Sequence, residues 1–80
     1  MNLDDAGSAA LAASLAASFR QTPPSPDVTV ILVPSFPFVA QVTAAVKGIP
    51  GVFTAAQDCS AEDKGAFTGE VSVPMLADTG

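Results

Sequence analysis

Histidine is absent, cysteine occurs once, and only three cations are spread over 80 residues. Each shortage removes a class of function. Without histidine there is no imidazole to serve as base, electrophile or metal ligand, so a Cys/His zinc site is excluded. A single cysteine, Cys59, forbids an internal disulfide. It reads as a free thiol, an inert small side chain of the kind usually buried. Arg20, Lys47 and Lys64 stand against eight acids, giving a formal net charge of −5. That balance argues against a nucleic-acid interface and against attraction to an anionic membrane surface. No run of about twenty apolar residues exists, so no membrane span is expected. The alanine-rich start does not read as a secretory signal. Asp4 and Asp5 occupy the place of its basic region, and Arg20 interrupts the far end. The expected location is cytoplasmic.

What is present is apolar. Hydrophobic residues make up 49% of the chain and charged ones 14%, far from the composition of a disordered segment. The length allows one small domain, of a size that buries only a modest fraction of its surface. With no disulfide and no zinc site, its own core or another surface must stabilise it.

The pattern along the chain alternates helix and strand. Residues 4–20 read as a helix, opened by Asp4 and Asp5 at the positive end of its dipole. Leu11, Leu15 and Phe19 recur at i, i+4 and i+8 as an apolar stripe, and the many alanines permit close packing. Pro23, Pro24 and Pro26 stop that helix. Residues 28–33 form a β-branched run whose near-continuous apolarity predicts a strand buried on both faces. Pro34-Ser35-Phe36-Pro37-Phe38 follows as a rigid apolar turn, with Phe36 and Phe38 expected in core or rim packing. A second helix is predicted over 37–47, with Val39, Val42 and Val46 on one face and Gly48 at its C-terminal cap. Residues 52–56 read as a second strand. A long polar connection leads to Pro74, which stands near the first position of an opening third helix. Alternation of this kind predicts an α/β fold with parallel βαβ units, joined by a right-handed crossover. Two apolar strands also call for sheet neighbours beyond themselves.

The polar connection holds the chemistry-bearing residues. Asp58, Glu62, Asp63 and Glu70 do not match the spacing of a calcium loop, so no metal site and no cofactor is expected. Glu70 has no partner acid for general base work. Ser35 and Ser60 have no histidine to activate them as nucleophiles. Gly65 and Gly69 lack the lysine and serine of a phosphate loop. Between those glycines, Ala66-Phe67-Thr68 forms a small apolar finger with one hydroxyl. A finger that exposes phenylalanine needs a partner surface.

The octapeptide Gly65-Ala66-Phe67-Thr68-Gly69-Glu70-Val71-Ser72 sits between Ala56-Gln57-Asp58 and Met75-Leu76-Ala77-Asp78-Thr79-Gly80. Together they resemble the third βα loop of the triosephosphate isomerase family. Pro34-Ser35-Phe36-Pro37 resembles the turn after that family's second strand, and Met1-Asn2 the end of the phrase that closes its first. The resemblance runs through all 80 residues. It implies an incomplete TIM (β/α)8 barrel, a single partial domain over 1–80 without its first strand. Such a barrel has about 250 residues.

The resemblance further implies a part in glycolysis and gluconeogenesis, interconverting dihydroxyacetone phosphate and D-glyceraldehyde 3-phosphate. The family uses a carboxylate base and a neutral histidine, and is itself the reference example of such tuned groups. None of the catalytic or substrate-binding residues is expected within this chain, so alone it is expected to be inactive. What the resemblance does place here is the loop used for homodimer formation. Thr68 would be its tip, Phe67 an apolar contact beside it, and Gly65 and Gly69 its flexible corners. Glu70 would pair with an arginine from a later loop, Gln57 would hold the loop's base, and Met1 would lie under the partner's loop. Asp58 departs from the asparagine common at its position. The alternative expectation is a non-catalytic binding module that grips a partner subunit with the same loop.

Overall fold

The computed structural model describes residues 3–80, so Met1 lies outside the described residues. Helix α1 spans Asp5–Gln21. The Asp4 carboxylate accepts a hydrogen bond from the Gly7 amide at 2.8 Å, capping one of the amides that a helix start leaves unpaired. At the other end the Arg20 guanidinium donates to the Ala45 carbonyl at 3.0 Å. This ties the close of α1 to the last turn of helix α2, Val39–Val46. The long stem of arginine makes that span possible, and the helix C-terminus favours its charge.

The line of α1 that is buried differs from the expected stripe. Ser8, Ala12 and Ala16 are covered, while Leu11 is half exposed and Leu15 and Phe19 are only partly covered. The small residues, at i, i+4 and i+8, let α1 lie close to α2. A leucine on that line would hold the helices apart. The alanines therefore decide the packing face, and the larger side chains are displaced to its flanks.

Strands β1 (Val30–Leu32) and β2 (Val52–Thr54) pair in parallel, with Val30 opposite Val52 and Leu32 opposite Thr54. Both are shorter than the sequence suggests. The Val28 amide is bonded to the Ser25 carbonyl in a turn, which delays entry into the sheet. Pro34 has no amide to offer and ends β1. Between the strands, Phe36–Phe38 forms a 3₁₀ turn before α2, so that the α-helix itself starts at Val39 rather than 37. After Lys47 the chain turns through Gly48 at φ +83°, a left-handed conformation that closes helices at low steric cost for glycine.

One face of the sheet is packed. Ala16, Val46, Ile49 and Val52 form the core, with Phe19, Val30 and Leu32 against it. Val39 and Val42 are buried along the same α2 face, as their spacing predicts. Thr43 joins α2 to β2: its hydroxyl donates to the Val39 carbonyl at 2.7 Å and lies 2.6 Å from the Thr54 hydroxyl.

The opposite face corrects the expectation of strands buried on both sides. Ile31 and Phe53 stand opposite each other in the register and are 56% and 57% exposed. The reason is that α1 and α2 both pack on the other side. The chain exposes 5572 Å². A compact monomer of this mass exposes about 4,500 Å², so roughly 1,000 Å² more surface is open than compactness requires.

Candidate functional site

The long connection from β2 to helix α3 (Val73–Ala77) folds into a finger. Its base is held twice. The Gln57 side-chain amide donates to the Val33 carbonyl at 2.9 Å, joining the loop to the end of β1. The Ser60 amide donates to the Val71 carbonyl at 2.7 Å and closes the neck. Smaller local bonds shape the outgoing limb. The Asp58 carboxylate accepts from the Cys59 amide at 2.8 Å, and the Ser60 hydroxyl accepts from the Glu62 amide at 3.1 Å. These are turns in which short polar side chains replace backbone partners. The Ser72 hydroxyl then accepts from the Met75 amide at 3.3 Å and opens α3.

The tip is a four-residue turn, Phe67 to Glu70, closed by the Glu70 amide on the Phe67 carbonyl at 3.0 Å. Gly69 stands at its third position with φ +88°, where a non-glycine residue is strained. Gly65 bends the outgoing limb at φ +128°. Residues 61–70 are all exposed, including Thr68, Glu70 and Phe67, the last at 47%. An open groove of about 460 Å³ runs along the finger. Phe36, Phe67 and Val71 give it apolar walls, and Asp58, Glu62 and Glu70 give it negative charge.

The structure thus brings Gln57, Gly65, Phe67, Thr68, Gly69 and Glu70 into one projecting element. Cys59 corrects the expected buried thiol: it is exposed, on the wall of the groove. Phe36 belongs to the groove rather than to the core, whereas Phe38 is partly covered. Lys47 and Lys64 are exposed, at a helix end and in the loop. Among the described residues, no group of three or more His, Cys, Asp or Glu side chains could hold a metal ion. No helix among them is long and apolar enough to cross a membrane.

A second feature was not legible in the pattern. A cleft of about 500 Å³ lies between α1 and the open edge of β1, walled by Leu3, Leu11, Leu15, Ile31 and Val33. Its only trace in the sequence is the stripe of leucines, which spacing alone assigns to a packed face. The groove along the finger carries carboxylates, the Cys59 thiol and the Ser60 hydroxyl, while the cleft beside β1 is lined mainly by apolar side chains.

The family model described as Triosephosphate isomerase matches residues 1–80. The chain is similar to the triosephosphate isomerase of Xylella fastidiosa (strain M12), with 43% identity over 74 residues. That match covers 92% of this chain and 29% of the relative. Triosephosphate isomerase of Trichlorobacter lovleyi is 50% identical over 54 residues, covering 68% of this chain and 21% of that protein. The Bordetella pertussis protein of the same name is 53% identical over 45 residues, covering 56% and 18%. The chain therefore spans less than a third of the length of these relatives.

Proposed function

Since this chain belongs to the triosephosphate isomerase family, whose fold is the TIM barrel, we propose that it supplies the early βα units of such an isomerase. The reaction is the interconversion of dihydroxyacetone phosphate and D-glyceraldehyde 3-phosphate, in glycolysis and gluconeogenesis, in the cytoplasm. The two parallel strands joined through α2 support this placement, because they form the βαβ unit from which such barrels are built. The bare Ile31 and Phe53 face agrees with it, since barrel interiors are filled by side chains from all the strands.

The role of these 80 residues is assembly rather than chemistry. The exposed finger carries that reading. Thr68 and Phe67 project as the contact, Gly65 and Gly69 set the bends, Gln57 fixes the base, and Glu70 offers a carboxylate for a cation on the other side. Met1 belongs to the same proposed homodimer interface. Isomerisation needs a base, an electrophile beside the carbonyl oxygen and a phosphate site. The chain has no histidine and three dispersed cations, so the electrophile and the phosphate site are assigned to other parts of a barrel.

Grafting tests the proposal. Residues 1–80 replace the matched segment of the Xylella fastidiosa relative, and isomerase turnover and sedimentation are measured. The expected graft is an active dimer, while the 80-residue chain alone turns over no triose phosphate. A folded graft that stays monomeric would remove the finger's role. Turnover by the purified chain would overturn the division between assembly and chemistry.

A further inference from the structure

The two glycines of the finger are unlike in a way that their sequence positions do not reveal. Both have positive φ, +128° at Gly65 and +88° at Gly69. At Gly69 a Cβ would meet nothing within 4 Å, so that glycine answers only to the backbone. At Gly65 a Cβ would lie 3.0 Å from Cε2 and 3.3 Å from Cδ2 of Phe67. A Cβ this close is tighter than ordinary packing, so an added methyl would displace the ring by a few tenths of an ångström from the place it takes beside Gly65.

We propose that Gly65 is a positioning residue: its bare Cα seats the Phe67 ring and so pre-forms the finger before any partner arrives. Three constraints meet around that seat. The neck is closed between Ser60 and Val71, the tip between Phe67 and Glu70, and the ring folds back on the limb that carries Gly65. An exposed ten-residue stretch with so few other anchors would otherwise sample many conformations. Ordering it in advance removes that cost from association, which leaves the gain from burying Phe67 available for affinity. The partner this fits is a surface with a preformed recess for an aromatic ring and a hydroxyl, rather than one that moulds itself to a flexible loop. This inference rests on the finger being the docking element, but the contact it invokes lies inside the chain and is measured without a partner.

The test is nuclear magnetic resonance on the full 80-residue chain, with hydrogen exchange as the second readout. Cross-relaxation between the Gly65 Hα protons and the Phe67 ring protons is expected, together with slowed exchange of the Glu70 and Ser60 amides. Gly65→Ala should speed exchange at Glu70 at least about tenfold, the scale on which a local closed state is lost. Phe67→Ala separates the seat from the backbone. In that background Gly65→Ala should cost clearly less, because only φ strain remains. Gly69→Ala, by contrast, should cost the same with or without the ring. Equal losses for Gly65→Ala in both backgrounds would reduce Gly65 to a hinge and overturn the seat. Absence of the Gly65–Phe67 cross-peaks in the unsubstituted chain would overturn pre-formation, whatever the state of the rest. Failure of the graft to dimerise with these cross-peaks present would instead strike the docking role and leave the seat standing.

Discussion

The helix-covered core and the finger are built from opposite materials. The core around Ala16, Val46, Ile49 and Val52 is held by volume: apolar side chains exclude water, and their exact hydrogen bonding matters little. The finger is exposed throughout residues 61–70, with two backbone closures and two glycines at positive φ. The first region stabilises, and the second is the proposed contact element. Mutations should therefore separate them, since removing volume weakens one and removing conformational freedom weakens the other. The effects below refer to the grafted barrel, where unfolding and association are both measurable.

The largest effect is expected in the core. Ile49, 6% exposed, sits among Ala16, Val46 and Val52. Ile49→Ala should cost about 3 kcal/mol in urea unfolding, from lost transfer energy and the cavity left behind. Association of the molecules that remain folded should be unchanged. A matching loss of association would show that the two regions are not independent.

Gly69→Ala tests the other side. The left-handed φ should cost about 1.5 kcal/mol locally. Because this strain falls on a loop, it should appear mainly as weaker dimerisation in sedimentation and only faintly in the unfolding midpoint. Gly48→Ala is its control: the same left-handed φ, also with open space around it, but at the end of α2. There the strain should lower stability and leave dimerisation alone.

Asp4→Ala removes the cap of α1, and about 1 kcal/mol of stability is expected to go with it. Urea unfolding checks this, and Asp4→Asn should recover most of the loss because an amide oxygen also accepts from the Gly7 amide. The smallest stability effect is predicted for Phe67→Ala, within about 0.5 kcal/mol, since the ring lies outside the core. Its effect on dimerisation should be among the largest of any finger substitution. That inversion is the sharpest form of the contrast, and a Phe67→Ala graft that unfolds readily would erase it.

Much of this division could be read from residues alone, for identifiable reasons. Val39, Val42 and Val46 lie on one side of a helix because 3.6-residue periodicity is local, and all three are buried. Asp4 caps α1 because capping needs only a short side chain near the first turn. Gly48 and Gly69 take left-handed turns that few other residues tolerate. Other features resist such reading because they depend on what lies across the chain. Nothing local says that alanine rather than leucine faces α2, since that follows from how near the helices come. Nothing local says that Ile31 and Phe53 are bare while Val30 and Val52 are covered, since it depends on both helices choosing one side of the sheet.

The sequence by itself determined the alternation of helix and strand, the Asp4 and Gly48 helix ends, and the family. These rest on short-range physics and on a specific octapeptide. Only the tertiary structure decided which sheet face is packed, that Cys59 is exposed, that Gln57 reaches the Val33 carbonyl, and that the Phe67 ring lies beside Gly65 while the space at Gly69 is open. Each of these depends on distances between residues that the chain's order leaves open. Packing fixes those distances by bringing helices, strand ends and loop limbs within reach of one another.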